Sequence, residues 1–248
     1  MEERVSTPDS IEGLVDRPAY KRAVEVGGIV GFGLSFVVGT AHVVPALSGQ
    51  VLAGLLAVVV ALVVADVLSG LVHWGADTWG ASDWPVLGTL LLRPFRAHHV
   101  DPASITRHDF WETNGHNGLV TLPLPLLVLS LPFDRPWAAS LGVFVLALSV
   151  ALFLTNQVHK LAHTPAPGPL VRGLQERGWI LRPEEHARHH EAPYLCAYCI
   201  TLGWMNRVLD GMRFFGRLES LITGVTGAEP RAEDARLAQM GGAQRSSG

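Results

Sequence analysis

The sequence is poor in charged residues, and this shortage narrows the class of protein. Only 17% of its 248 residues are Asp, Glu, Lys or Arg, whereas 48% are hydrophobic. Ordinary soluble domains carry about 25% charged residues. This balance favours an integral membrane protein with one domain. The formal net charge of −3 gives no indication of a nucleic-acid partner.

The sequence also has few cysteines and lacks several familiar segments. Cys196 and Cys199 are the only cysteines, in the order CAYC. A zinc site would need two further ligands, so we interpret the pair as incidental thiols in a reducing compartment. The N-terminus shows no signal-peptide cleavage site. We find no internal repeat, no second soluble domain and no fused cytochrome or flavin domain.

The chain contains several long apolar segments. A bilayer core needs about 20 apolar residues in a helix, and the sequence predicts four membrane helices, at 24–44, 51–74, 118–132 and 137–158. The third is short and contains two prolines, so we expect it to be kinked. The alternative is that it re-enters the membrane without spanning it. The predicted fold class is all-α integral membrane, with about four transmembrane helices.

The sequence also predicts the structure of the segments around these helices. We predict a flexible N-terminal tail at 1–22, a membrane lipid-enzyme domain at 23–226, and a disordered C-terminal tail at 227–248. Residues 170–180 are expected to form a short amphipathic helix. The aromatic-rich stretch 194–215 is expected to lie on the membrane, cover the site and line a channel for a lipid chain.

Basic residues predict the orientation. The loops 45–50 and 132–136 contain one basic residue, Arg135, whereas the tails and the central polar segment hold the others. By the positive-inside tendency, both termini and the central segment face the cytosol. A bacterial inner membrane is the expected location.

The central polar segment is rich in histidine. Residues 93–117 hold four of the eleven histidines, together with several carboxylates and arginines, between apolar segments. This arrangement suggests a metal site at the membrane face. All the remaining histidines except His42 fall into groups with ligand spacing: His73 with Asp77, His159 with His163, and His186 with His189 and His190. Residues four apart on a helix share a face.

The number of donors predicts two metal ions. A catalytic zinc takes three protein ligands, whereas the sequence offers eight nitrogens, with Asp77 as a possible ninth ligand. Imidazole binds iron, zinc, copper and nickel, so ligand type alone does not choose the metal. Breaking an unactivated carbon–hydrogen bond in a lipid would require oxidised iron. The expected ligands are His73, His98, His99, His159, His163, His186, His189 and His190.

Other polar residues have less specific patterns. His108 fits either a ligand or a surface residue, His116 an incidental one, and His42 a packing residue far from the others. Asp66, inside a membrane helix, is expected to orient a histidine or to make a structural hydrogen bond. Two further acids are expected to orient imidazoles by hydrogen bonds, Asp101 and Asp109. Three arginines are expected to bind lipid phosphate or to serve the positive-inside bias, Arg93, Arg96 and Arg107.

Four motifs give the chain a family resemblance. They are HWGADTWG at 73–80, RPFRAHHVDPASITRHDFWETNG at 93–115, TNQVHKLAH at 155–163, and HARHH at 186–190 followed by YCITLGWMNRVLD at 198–210. In order and spacing they resemble the plasmanylethanolamine desaturases, the family of the animal Kua proteins and the bacterial CarF protein. More distantly they are similar to a plant chloroplast desaturase of phosphatidylglycerol. The resemblance spans roughly residues 66–215.

The resemblance implies a di-iron enzyme with the eight histidines above as ligands. It implies O2-dependent 1,2-desaturation of the sn-1 O-alkyl chain of an ether phospholipid, which gives the vinyl ether of a plasmalogen. The electron donor would be a cytochrome b5-like or ferredoxin-like protein. Three alternatives stay open: an acyl-lipid desaturase or hydroxylase, a non-catalytic metal-binding membrane sensor, and a zinc-dependent membrane hydrolase.

Overall fold

A computed structural model describes residues 18–232, and the regular structure in that range is helical throughout. The predicted all-α class is confirmed. The density of contacts divides the chain into two compact units. Within the described range the first unit comprises 18–65 and 108–160, and the second comprises 66–107 and 161–232.

The described range contains α-helices joined by short turns of other helical types. The α-helices are α1 (Pro18–Val43), α2 (Val51–Thr78), α3 (Arg93–Val100), α4 (Phe110–Thr121), α5 (Pro123–Leu127), α6 (Pro136–His163), α7 (Pro169–Glu176), α8 (Pro183–Ala187), α9 (Asn206–Gly211) and α10 (Phe214–Thr226). The shorter turns are 3-10 at Val44–Leu47, Pro102–Arg107 and Val128–Ser130, and π at Gly88–Leu92.

Three single helices in the described range are long and apolar enough to cross a membrane. They are α1 extended by its 3-10 turn, α2 and α6. These correspond to the first, second and fourth of the expected spans. Helices α2 and α6 each begin in the first unit and end in the second.

The remaining expected span, 118–132, is a jointed segment rather than one long helix. Its sequence divides among α4, α5 and a 3-10 turn, because Pro123 opens α5 and no proline can continue the hydrogen-bond ladder. It nevertheless follows α1 closely. Contacts with α1 begin at the Arg22–Asp109 ion pair (2.7 Å) and end where Phe133 packs edge-on against His42 (ring centroids 5.2 Å). Residues 109–133, of which this segment is the later part, therefore run alongside α1 for nearly its whole length.

Glycine permits the close approach of α1 and α4. A Cβ built on Gly115 would lie 2.4 Å from the Cα of Glu25, and one on Gly118 would lie 2.7 Å from the carbonyl carbon of Gly28. No real side chain fits at such distances. Small residues in membrane helices allow this close backbone packing, which replaces the hydrophobic driving force that lipid does not supply.

Side-chain amides join α4 to α6 in the apolar interior of the first unit. Asn114 donates to Gln157 Oε1 at 2.9 Å, and Asn117 donates to the carbonyl oxygen of Leu152 at 3.2 Å. Asn156 donates to Asn117 Oδ1 at 3.2 Å. Polar groups at membrane depth must find partners within the protein. These bonds set α6 antiparallel to α4.

The second unit packs the end of α2 against the chain after residue 197. Its core contains one tryptophan from α2 and several side chains from the later segment, namely Trp74, Tyr198, Cys199, Leu209 and Phe215. The short helix expected at 170–180 is present as α7, at Pro169–Glu176.

The expected tails differ in part from the structure. Helix α1 begins at Pro18, within the predicted tail 1–22, and the rest of that prediction lies outside the described residues. At the other end, the backbone N–H of Arg231 donates to the Thr78 carbonyl at 2.8 Å. Its guanidinium binds both carboxylate oxygens of Glu219, at 3.0 and 2.9 Å. The start of the predicted tail 227–248 therefore belongs to the fold, whereas residues 233–248 lie outside the described range.

A glycine substitution tests the α1–α4 contact. We expect Gly115→Ala to lower the apparent melting temperature by roughly 5 °C, because the added methyl group forces the two backbones apart at a cost of about 1–3 kcal/mol. Gly27→Ala is the matched control, since no atom lies within 4 Å of its Cβ position. Thermal unfolding in detergent measures both. Equal melting temperatures for the two variants would contradict the packing.

Candidate metal centre

The second unit gathers donor side chains from the ends of several helices. Each lies at or just beyond a helix end, where a short turn can bring it against the others. The donors are His73 and Asp77 from α2, His98 and His99 from α3, His163 from α6, and His186, His189 and His190 from α8 and the turn after it. They form two groups, each with its donor atoms within 4.8 Å of one another.

The first group in this unit contains imidazoles alone. Nε2 of His98 lies 3.0 Å from Nε2 of His163, and Nε2 of His190 lies 3.0 Å from Nε2 of His186. The four rings pack with centroids 4.6–6.3 Å apart. Nitrogen ligands about 2.1 Å from one ion are separated by roughly 3.0–3.4 Å, so these distances suit ligands of a common ion.

His159 stands one turn before His163 on α6 and is buried. The spacing of four residues puts its imidazole on the same helix face as that of His163. His159 and His163 therefore have the helical spacing on which their prediction as a pair depends.

The second group combines three imidazoles with a carboxylate. Nε2 of His73 and Nε2 of His189 each lie 3.4 Å from Oδ2 of Asp77, and Nε2 of His99 lies 3.2 Å from Oδ1. His73 and His189 are fully buried, and Asp77 is 9% exposed. Asp77 was the possible ninth ligand of the sequence analysis, and the structure places it at the centre of three predicted ligands.

Backbone carbonyls fix the tautomer of two of these histidines. Nδ1 of His73 lies 3.1 Å from the carbonyl oxygen of Tyr198, and Nδ1 of His189 lies 2.9 Å from that of Cys196. A carbonyl oxygen only accepts, so each Nδ1 carries the proton and donates it. Each Nε2 therefore presents a lone pair toward Asp77. This is how metal-ligating histidines are oriented.

The donor atoms around Asp77 show whether the site suits a metal ion. Two imidazole lone pairs and the oxygens of Asp77 face one another, although acceptors repel at this distance. Neither oxygen of Asp77 receives a hydrogen bond of ordinary geometry from the described residues. A cation between the donors would turn this repulsion into attraction, so the residues present fit a bound metal.

Burial keeps the first group in its ligand form. Burial, with neighbouring histidines adding to its effect, lowers the pKa of His98 to about 3 and that of His190 to about 2. Both imidazoles are therefore neutral at physiological pH. A metal ligand must be deprotonated, and these side chains need release no proton to bind.

The segment 196–205 supplies the orienting carbonyls and is itself held firmly. The carboxylate of Asp66 accepts the backbone N–H groups of Leu202, Gly203 and Met205 at 2.7, 2.9 and 2.9 Å. The amide of Asn206 accepts the Cys199 N–H at 2.8 Å and donates to the Cys199 carbonyl at 3.0 Å. Ser69 Oγ accepts the N–H of Ile200 at 3.1 Å.

These bonds correct the expectation for Asp66. It does not orient a histidine directly; it binds the loop that carries the orienting carbonyls. The reason is geometric: Asp66 shares a helix face with His73 but lies two turns, roughly 10 Å, earlier along α2, so its carboxylate meets the loop and not the imidazoles. The alternative, a structural hydrogen-bonding role, describes it better.

The other two predicted orienting acids also have different partners. Asp101 binds Arg107 at 2.6 Å, and Asp109 caps α4 by accepting the N–H of Glu112 at 2.9 Å while pairing with Arg22. The arginine contact lowers the pKa of Asp101. For Asp109, the contact with Arg22 and the capping bond lower the pKa to about 2. Their role is to fix the turns on either side of the histidine segment.

The three arginines that were expected to bind lipid phosphate make different contacts. Arg96 donates to the carbonyls of Trp79 and Gly80, at 3.4 and 2.9 Å, and so closes the turn after α2. Arg107 is paired with Asp101. Arg93 is exposed and donates through Nε to the Ser82 carbonyl at 2.8 Å, which leaves it the best placed of the three to meet a phosphate.

The three less specific histidines lie outside both donor groups. His108 is exposed, lies 3.9 Å from Glu112, and its carbonyl accepts a hydrogen bond from Lys160. Its prediction as a ligand is therefore not supported, and the surface alternative fits. His116 is exposed, and His42 packs on Phe133, as expected. Cys196 and Cys199 are free thiols, and burial raises the pKa of Cys199.

Two tyrosines cover the second group, as the expectation for 194–215 implies. The Tyr198 ring lies on His73 and His189, with centroids 5.8 and 5.1 Å away, and the Tyr194 ring lies 4.7 Å from His99. Tyr198 is 1% exposed and donates its hydroxyl to the Tyr194 carbonyl at 2.8 Å. Sequence reasoning missed both, and also Asn206, although all three fall in or beside the YCITLGWMNRVLD motif.

Replacing Asp66 tests how the orienting loop is held. We expect Asp66→Asn to destabilise the protein by about 3 kcal/mol, because an amide cannot accept three N–H donors and brings a donor of its own. The apparent melting temperature should then fall by roughly 6–12 °C. Asp83→Asn, at an exposed position of the same unit, is the control. If both variants unfold like the parent protein, the loop does not depend on Asp66.

Comparisons with known proteins agree with this site. Residues 62–233 match the lipid desaturase domain family. The chain is 46% identical over 217 residues to the plasmanylethanolamine desaturase of Myxococcus xanthus, covering 86% of this chain and 76% of that one. It is 48% identical over 196 residues to plasmanylethanolamine desaturase 1 of Mus musculus, covering 75% and 70%.

A plant protein shows a lower sequence identity to this chain. The chloroplastic fatty acid desaturase 4 of Arabidopsis thaliana is 35% identical over 173 residues, covering 68% of this chain and 52% of that one. No solved structure matches. The matched domain contains every member of both donor groups. The chain therefore belongs to the plasmanylethanolamine desaturase family of lipid desaturases.

Proposed function

We propose that the protein is an O2-dependent desaturase that converts the sn-1 O-alkyl chain of an ether phospholipid into the vinyl ether of a plasmalogen. The observation that carries the proposal is the second donor group, in which oriented imidazoles and a buried carboxylate converge at the end of a membrane helix. The names of the two relatives above support the substrate class.

Two iron ions are the proposed cofactors. One would be held by His98, His159, His163, His186 and His190, where His159 joins through its position one helical turn before His163. The other would be held by His73, Asp77, His99 and His189. When bound, iron supplies the redox chemistry with O2 that removal of hydrogen from an unactivated carbon requires. Imidazole and carboxylate are ligands of iron as well as of zinc, and the family's chemistry favours iron.

The reaction removes one hydrogen from each of carbons 1 and 2 of the alkyl chain. O2 takes up these hydrogens, two electrons and two protons, and leaves as two molecules of water. The electrons would come from a cytochrome b5-like or ferredoxin-like donor. The residues of this chain bind the metals, orient the imidazoles through the Tyr198 and Cys196 carbonyls, and exclude water from the second group with the Tyr198 ring.

The proposed location is a bacterial inner membrane with the site on the cytosolic side. In the first unit, the start of α1, the start of α4 and the end of α6 share one end, which Arg22, Asp109, His108 and Lys160 join by direct contacts. Three basic residues lie there, Lys21, Arg22 and Lys160, against Arg135 at the start of α6. The positive-inside tendency supports a cytosolic position for that end.

Vinyl ether formation in a host without plasmalogens tests the function. The protein is expressed in such a membrane, a 1-O-alkyl phospholipid is supplied with a competent reductase system, and acid-labile vinyl ethers are measured by mass spectrometry. We expect formation that requires O2. His189→Ala should reduce it by at least about 100-fold, because the variant loses a proposed iron ligand, while the exposed His116→Ala stays active.

The outcomes separate the alternatives. Iron-loaded protein that forms no vinyl ether but changes acyl unsaturation in the whole lipidome would establish an acyl-lipid desaturase or hydroxylase instead. Iron-loaded protein that changes no lipid, with electron transfer to the metals demonstrated, would leave the non-catalytic sensor. Full activity in His189→Ala would contradict the ligand assignment.

A further inference from the structure

An apolar groove of about 280 Å³ runs beside the last turns of α2. Its walls are wholly hydrocarbon or indole on the α2 side and on the chain that follows. The residues that matter most are Leu71, Val72 and Gly75 on α2, with Trp84, Leu87 and Leu91 opposite. Because α2 is long and apolar enough to span a membrane, such a groove is suited to hydrocarbon rather than to water.

Gly75 keeps the groove open. A Cβ built on Gly75 meets no atom within 4 Å, so packing does not require glycine there. By contrast, a Cβ on Gly70 would lie 2.7 Å from the sulfur of Cys199. What distinguishes Gly75 from other helical glycines with open space around them, such as Gly33, is that it lines the groove. The missing side chain leaves space in the groove.

Phe95 links the groove wall to the second donor group. It lies on α3, three residues after Leu92 in the groove wall and one turn before His99. Its ring packs edge-on against the ring of His73 with centroids 5.1 Å apart. The groove therefore lies within about one helical turn of a residue that contacts a proposed metal ligand.

The groove volume sets how much chain it can hold. A groove of about 280 Å³ is many times the volume that one water molecule needs, about 10–15 Å³ on the same measure, so it has room for a stretch of hydrocarbon chain. The reacting carbons of an O-alkyl lipid adjoin the ether oxygen. The long remainder of the chain must therefore leave the metal site through an apolar space of this kind.

We propose that this groove binds the part of the substrate's alkyl chain beyond the reacting carbons, and that Gly75 determines the chain length accepted. This inference rests on the proposed function. It assigns a substrate-specificity role to a residue that belongs to neither donor group. The occupant is the hydrocarbon chain of the 1-O-alkyl phospholipid, not a lipid of the surrounding bilayer.

A leucine at position 75 tests the assignment through chain-length preference. Wild-type protein, Gly75→Leu and Gly33→Leu compete for an equimolar mixture of 1-O-alkyl phospholipids with chains of different length, and each vinyl ether is quantified. Gly33 is the matched control, because it is also helical with no atom within 4 Å of its Cβ position. We expect Gly75→Leu to lower the preference for the longest over the shortest chain by about tenfold or more, since buried methylenes carry that preference. Iron content and melting temperature should stay unchanged in both variants.

Photolabelling provides a readout that needs no turnover. A 1-O-alkyl phospholipid with a diazirine at the far end of its chain is irradiated with each protein in detergent, and labelled peptides are mapped by mass spectrometry. We expect wild-type and Gly33→Leu proteins to be labelled within residues 71–92, and Gly75→Leu to lose that label. Unlabelled 1-O-alkyl lipid should compete more strongly than a diacyl lipid.

The two experiments distinguish failure of the groove from failure of the function. A labelled groove in a protein that forms no vinyl ether would overturn the function and leave the groove as a binding site for ether-lipid chains. Vinyl ether formation with unchanged chain preference in Gly75→Leu, or label outside residues 71–92, would overturn the groove proposal. Equal competition by diacyl lipid would identify the groove as a site for bulk membrane lipid, and would also overturn it.

Discussion

The convergence of acceptor lone pairs on one buried carboxylate is the constraint on which the second unit depends. The Nδ1 atoms of His73 and His189 bond to backbone carbonyls, and their Nε2 atoms face Asp77 at 3.4 Å. Such an arrangement repels itself in the absence of a cation, so the protein must hold it mechanically. The short helices, the turn after α8 and the loop 196–205 all serve that purpose, and a bound metal would convert the repulsion into binding energy.

Membrane helices supply the rigidity that the donors need. Helices α2 and α6 enter the second unit as continuations of spans anchored in the first, and each delivers a histidine at its final turns. In the first unit, close glycine contacts and side-chain amide bonds hold the spans together where lipid gives no hydrophobic drive. A ligand near the end of such a helix can move little. A defined metal geometry requires ligands that are held in place in this way.

The sequence predicted the parts of the site that depend on residue type and spacing. His163, His186 and His190 could be proposed as ligands because several histidine clusters fall on one predicted membrane face, and the structure brings these three side chains together. The all-α class and the spans followed from long apolar segments. The kinked third segment was anticipated from Pro123, although its division into separate helices was not.

What the sequence did not reveal depends on the backbone and on distant contacts. Carbonyls of Tyr198 and Cys196 orient the imidazoles, and every residue has a carbonyl, so no residue pattern marks them. The same holds for Asp66, whose three partners are backbone N–H groups at positions 202–205. Asp109 was expected near a histidine because it is close in sequence, but the ion pair with Arg22 and the cap of α4 determine where it points. No residue pattern marks the groove at Gly75 either, because it is an empty space and becomes visible only in the structure.

X-ray absorption at the iron edge, on iron-loaded protein in its membrane, is the most direct measurement of the central claim. The account predicts two ions per chain with nitrogen and oxygen neighbours only, at distances of about 2.0–2.2 Å, and without a sulfur shell. In Asp77→Asn, elemental analysis of the same sample should give fewer than two iron ions per chain, and the average nitrogen and oxygen shell should change. A single ion in the wild type, a sulfur shell from Cys196 or Cys199, or an unchanged spectrum in Asp77→Asn would contradict the account.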